Sequence, residues 1–209
     1  MNFFAKLFGS SARKLMEAEM YAWHLGRKPK VRMVVDIGPR TTKIELVSLD
    51  GVLCSGKYGI GCKDMDDAIM MHMRGRRNCC IDERMSEYIK EKMGSAWELD
   101  GEFGCEILGR RADRDHAVES FRIDSQELRE VALAGVLDQI DEAVTGFLSV
   151  HATPEYVADL ADRGIVLEGG GAWLPGLDKR LAAVTGLPVR LGCYDWDWQK
   201  LRSALALAS

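Results

Sequence analysis

The chain has 209 residues, 47% of them hydrophobic and 29% charged, with 28 basic against 32 acidic side chains and a formal net charge of −4. That length predicts one domain, or one domain with an appendage, and a core that needs no disulfide or metal staple. The composition excludes a disordered or collagen-like chain, the acidic balance excludes a general nucleic-acid binder, and no apolar run approaches the ~20 residues of a membrane-spanning helix.

In chain order, Phe4, Leu7 and Phe8 with Phe3 beside them fall at helical spacing, with Lys6 off that face, and predict a short amphipathic helix over 2–9. Gly9-Ser10-Ser11 ends it, and a second helix is predicted over about 12–24, stopped by Gly26 and Pro29. Residues 1–32 carry seven basic side chains against two acidic, a net of +5, so a basic head sits on an acidic body and predicts its own partner. From Val31 the period changes to two. Val31–Asp36, Thr42–Val47 and Val52–Tyr58 read as a three-stranded meander, with Asp50-Gly51 as its second turn. Helices are predicted over 64–77 and 83–93, the second from Ile81, Met85, Ile89 and Met93 recurring every fourth residue. Phe103–Leu108 reads as a strand, 109–120 as a charged hairpin loop, and Phe121–Ile123 as a short strand. Asp124 or Ser125 caps a helix expected to run unbroken over about 125–150, and Pro154 opens another to Asp162. Gly164–Leu167 is a buried strand, 175–185 a helix, Leu187–Leu191 a strand and 196–208 a last helix. Strands followed by alternating strands and helices predict a layered α/β fold with a mixed sheet.

Two segments carry candidate chemistry. Ile165-Val166-Leu167-Glu168 runs into Gly169, Gly170 and Gly171. Bare backbone at the carboxyl end of a sheet suits close approach to a nucleotide, and equally suits a tight turn. Asp36-Ile37-Gly38-Pro39-Arg40-Thr41-Thr42 places an acid and two hydroxyls at a strand end, a pattern that holds Mg²⁺ and a phosphate or simply closes a hairpin. Gly51-x-x-x-x-Gly56-Lys57 is rejected as a phosphate loop, because Tyr58 stands where Ser or Thr is required and the segment is a strand. The four histidines are scattered, and the six cysteines form no C-x-x-C pair or zinc spacing. Lys6 interrupts the N-terminal apolar stretch, which argues against a signal peptide and for a reduced, cytoplasmic setting. Trp196 and Trp198 read as a core anchor or an exposed binding edge.

Taken together, Val34-Val35-Asp36-Ile37-Gly38-x-x-Thr41-Thr42, Met65-Asp66-Asp67-Ala68-Ile69, Ile89-Lys90-x-x-x-Gly94-Ser95-Ala96 and Ile165–Asp178 resemble, in order and spacing, the MreB family of bacterial actin-like, cell-shape-determining proteins. The run from Ala152 to Val189 is similar nearly throughout, and the likeness covers about 12–192. The resemblance implies the second, ribonuclease-H-like half of an actin fold. Its core subdomain is expected over 31–70 and 151–209, an inserted small α+β subdomain over 71–150, a remnant of the connecting helix over 12–30 and an amphipathic segment over 1–11.

The same resemblance implies a nucleotide site at Asp36, Gly38, Thr41, Thr42, Glu87, Lys90, Gly169, Gly170 and Gly171, with Asp36 holding Mg²⁺ through water beside ATP. It also implies membrane contact through Phe3, Phe4, Lys6, Leu7 and Phe8. Departures from the family pattern predict weak or lost nucleotide binding. Pro39-Arg40 replaces two glycines, Cys62-Lys63 follows Gly61 where the family has Gly-Asp, Glu168 replaces a neutral residue, and Tyr194–Trp198 replaces the family's ending. The expected protein is a truncated, MreB-like cytoskeletal factor. It is cytoplasmic and peripheral on the inner membrane, and its partners are MreB filaments or other cell-shape proteins, not nucleic acid. A working ATP-binding module and a decayed paralogue are the competing readings.

Overall fold

The structure, a computed structural model, describes residues 31–48, 51–101, 103–113 and 117–192. The helices expected over 2–9, 12–24 and 196–208, and the membrane-contact residues, lie outside that set. The strands are β1 (Arg32–Ile37), β2 (Thr42–Ser48), β3 (Gly51–Tyr58), β4 (Cys79–Cys80), β5 (Gly104–Arg111), β6 (Val118–Asp124), β7 (Ile165–Glu168) and β8 (Val189–Leu191). The helices are α1 (Cys62–Arg77), α2 (Glu83–Met93), α3 (Ser125–Glu127), α4 (Ala134–His151), α5 (Pro154–Arg163) and α6 (Leu177–Thr185).

Five strands form one sheet in the order β3-β2-β1-β7-β8, and three form a second in the order β4-β5-β6. In the larger sheet β1–β3 are antiparallel and β7 and β8 run parallel to β1. Chain reversal by hairpins suits the first three strands, whereas the parallel pair β7–β8 needs the crossover that α6 supplies. Met33, Val35, Ile37, Ile44, Leu46, Ile165 and Leu167 are fully or almost fully buried between the sheet and its helices. Each such side chain contributes roughly 1.5–3 kcal/mol of burial. α4 packs on β2, β3 and α6, while α1 packs on α2, α4 and strand β4 of the smaller sheet.

Several expected boundaries shift, each for a local reason. Ser48 pairs with Gly51, so Gly51 is already in the strand. α1 begins at Cys62, two residues early, because the Asp64 carboxylate accepts the Gly61 N–H at 2.7 Å and caps the extra turn. β5 reaches Arg111 and β6 starts at Val118, well inside the expected loop; Glu106, Leu108 and Arg110 alternate onto an exposed face, where charge is no obstacle to a strand. The helix expected over 125–150 is interrupted. Asp124 caps α3, a π-helical turn follows over Leu128–Ala132, and α4 starts after Leu133. Helix α6 begins at Leu177, after a 3-10 turn over Gly170–Trp173, and Pro188 shortens the last strand to Val189–Leu191.

Candidate functional site

The carboxyl ends of the parallel strands β1, β7 and β8 lie side by side, the position where open α/β sheets hold their ligands. Asp36 pairs in register with Glu168, so the loops that begin at Gly38 and Gly169 are neighbours.

The first loop is closed on itself. The Gly38 N–H donates to the Thr41 carbonyl at 2.9 Å, and Pro39 has no N–H. The carbonyls of Gly38 and Pro39 accept the N–H groups of Cys62 and Lys63 at 3.0 and 2.8 Å. These are two of the four orphan donors at the start of α1, the kind of donors that otherwise face an anion. Gly61 permits this approach, since a Cβ there would stand 2.5 Å from the Gly38 carbonyl oxygen. Thr42 does not line the opening. It is fully buried, and its hydroxyl donates to the Ile60 carbonyl at 2.9 Å, bracing β2 against the segment that leads into α1. Thr41 is half-buried and Arg40 exposed.

The second loop interlocks with the first. Gly169 has φ +79°, and a Cβ on it would meet Asp36 Oδ1 and the Ile37 carbonyl oxygen, each at 2.4 Å. A Cβ on Gly171 would stand 2.3 Å from Ile37 Cγ2. Gly170 is exposed and has only Cys62 Sγ nearby, at 3.8 Å. Two of the three glycines are therefore required by packing, whatever the loop binds.

Helix α2 supplies the third side. Lys90 Nζ lies 2.7 Å from Asp66 Oδ1 and 3.5 Å from the Cys62 carbonyl, and the Lys90 and Asp66 side chains are 13% and 8% exposed. Glu87 is exposed, one turn before Lys90, and its charge acts on both Asp66 and Cys62. Lys63 pairs with Glu83 at the start of α2 and lies 3.9 Å from Asp67. The structure thus gathers Asp36, Gly38, Thr41 and the triple glycine around Cys62, with Lys90 reaching that residue's carbonyl from α2. Sequence reasoning had singled out neither Cys62 nor Asp66 as a site residue. The replacement after Gly61 and the Met65-Asp66-Asp67 run were the available signals.

Burial raises the Asp36 carboxyl above the ordinary aspartate range; Lys43 opposes this and Glu45 adds to it. Burial likewise raises Asp66 despite Lys90, and raises the Cys62 thiol. Among the described residues no group of three or more His, Cys, Asp or Glu side chains converges on a metal position. Two cavities, of about 410 and 490 Å³, lie elsewhere: one beside β4 and β5, the other between α1 and α4.

A raised carboxyl pKa means that the fold disfavours the ionised form, so Asp36 costs stability above its raised pKa and costs none once protonated. Asp36→Asn is therefore expected to raise the melting temperature at neutral pH. The gain should shrink as pH falls through the aspartate range, which thermal melts across pH will show.

Comparison with known proteins identifies the family and the fold. The family model described as MreB/Mbl protein matches residues 10–194. The cell shape-determining protein MreB of Escherichia coli (strain K12) is 36% identical over 163 residues, covering 75% of this chain and 44% of the relative. The cell shape-determining protein Mbl of Bacillus subtilis (strain 168) is 32% identical over 163 residues, covering 78% of this chain and 48% of the relative. Among solved structures, MreB 5 of Spiroplasma citri bound to AMPPNP superposes with a TM-score of 0.74 at 27% identity, covering 84% of this chain and 53% of that one. The chain thus spans about half the length of the relatives it matches.

Proposed function

The chain belongs to the MreB/Mbl protein family, and from that premise we propose that it is an actin-like cell-shape protein built on the second half of the family fold. In this reading it works on MreB filaments or with other cell-shape proteins at the inner face of the cytoplasmic membrane, and it binds nucleotide weakly or not at all. In this reading the ribonuclease-H-like subdomain is assigned to 31–70 and 151–209 and the insert to 71–150, with α4, which packs on β2, β3 and α6, on the subdomain's side of that boundary.

The observation that carries this reading is the closed first loop. Of the N–H groups from Gly38 to Arg40, one is absent at Pro39 and one is bonded to Thr41, while two helix donors are taken by the loop's own carbonyls. A phosphate chain needs such donors free and preorganised. Lys90, placed by resemblance on the adenosine side, is held by Asp66. For Mg²⁺ Asp36 would hold the ion through water, and the ion would supply charge neutralisation for a bound phosphate. The competing reading, a working nucleotide module, has two supports: the retained Asp36 with Gly169–Gly171, and the AMPPNP held by the Spiroplasma relative.

Among the described residues no helix is long and apolar enough to cross a membrane. Membrane attachment in this proposal falls to the N-terminal segment, where Phe3, Phe4, Leu7 and Phe8 enter the acyl boundary and Lys6, Arg13 and Lys14 meet anionic head groups. Each such cation contributes about 1 kcal/mol near the surface. The wild type is expected to float with anionic liposomes and to be released by high salt, whereas Phe4→Asp/Phe8→Asp stays in solution. Equal flotation of the two folded proteins would refute the anchor.

A further inference from the structure

We propose that two copies of this chain pair through the exposed side of α1, antiparallel about a two-fold axis at Met71, with Asp67 of each copy against Arg74 of the other. The contact lies away from the glycine loops and goes beyond the functional reading above.

The open groove of about 490 Å³ lies between α1 and the segment that runs from the π-helical turn into α4. Ala68, Met71 and Gly75 line one wall, and Val131, Gly135 and Gln139 the other. His72 and Arg77 of α1 both bond Glu127, the residue before the π-helical turn, so the two walls run antiparallel. Met71 is 75% and Val131 50% exposed, which leaves large apolar side chains in water at the rim. Gly75 and Gly135 are exposed, and a Cβ on either would meet nothing within 4 Å. Neither has a positive φ. Alanine would therefore suit both helices better, and packing within the chain requires glycine at neither place. What the two glycines provide is room in the groove.

The charges on α1 decide what fits there. Asp67, Met71 and Arg74 are spaced i, i+4, i+7 and form one exposed row along the helix. Among the described residues Arg74 has no ion pair, and Asp67 has Lys63 at 3.9 Å. At a rise of ~1.5 Å per residue, Asp67 lies about 6 Å before Met71 along the helix axis and Arg74 about 4.5 Å after it. A two-fold axis at Met71, perpendicular to α1, therefore brings each acid to the other copy's arginine. The same operation sets each Met71 over the other copy's groove, where Gly75 and Gly135 leave space for it. A parallel arrangement would instead set Arg74 against Arg74 and Asp67 against Asp67. Because the patch is its own partner, the assembly closes at two copies and does not extend into a filament.

Sedimentation velocity of the intact chain at low salt, over about 1–200 μM, covers the range of weak interfaces. The wild type is expected to pass reversibly from monomer to dimer, and to return to monomer in high salt. Met71→Asp, and Gly135→Leu, which fills the groove, should stay monomeric. Arg74→Glu and Asp67→Arg should each weaken association about tenfold, since either change turns both ion pairs into repulsions. An equimolar mixture of those two variants should associate as the wild type does, because both pairs are attractive again in the mixed dimer. An unchanged melting temperature at the lowest concentration shows that a variant is folded. A wild type that stays monomeric would overturn the proposal and leave the groove to a helix of another protein. Association that persists in the folded groove variants, or that grows beyond two copies, would overturn it too, and so would a mixture no stronger than its components.

Discussion

Asp66→Ala is expected to destabilise the protein by about 3–5 kcal/mol, the typical cost of leaving one member of a buried ion pair without the other. Lys90 Nζ is 2.7 Å from the Asp66 carboxylate, and the pair ties α1 to α2 directly beneath the two glycine loops. Removing the lysine as well should return much of the loss, because Lys90→Met with Asp66→Leu replaces two desolvated charges by apolar groups of similar bulk. Urea unfolding of the two variants, compared at equal denaturant dependence, checks this. A single variant as stable as the wild type would mean that Lys90 finds water when Asp66 is gone.

That pair also marks where sequence reasoning stops. The meander, the strand into the triple glycine and the helix with Ile89 and Met93 on its buried face were legible because hydrophobic period and turn chemistry are local. The interruption after Glu127 was not, since Leu128, Ala132, Leu133, Val136 and Leu137 keep a helical spacing across the π-helical turn and all are buried. Of the candidate site, the glycines and Asp36 could be named from their place at strand ends. The partners of Lys90 and Thr42 could not, because Asp66 is 24 residues and Ile60 is 18 residues away in sequence. The charge reversal at Lys63 was visible, but its pairing with Glu83 depends on how α1 and α2 pack.

The triple glycine should respond unevenly to alanine. Gly169→Ala places a Cβ at positive φ, costing about 1–2 kcal/mol, and drives it into Asp36 and Ile37, for about 1–3 kcal/mol more. Gly171→Ala meets Ile37 Cγ2 at 2.3 Å and should cost a similar overpacking penalty. Gly170→Ala has open space apart from Cys62 Sγ and should stay within about 0.5 kcal/mol of the wild type. Thermal and urea unfolding of the three single variants separate these cases. A uniform effect would mean that the loop is held as one unit and not by two close contacts.

Calorimetric titration of the wild type and of Pro39→Gly/Arg40→Gly with Mg-ATP tests the central reading most directly. The loop lacks one donor at Pro39 and has its Gly38 N–H and the Cys62 and Lys63 N–H groups already bonded. The wild type is therefore expected to bind with a Kd weaker than about 10 μM, roughly −7 kcal/mol, or not detectably. The double variant should recover part of the phosphate contribution and bind more tightly. A wild-type Kd below about 10 μM, unchanged or weakened in the double variant, would contradict the account and establish a working nucleotide site on this half of the fold.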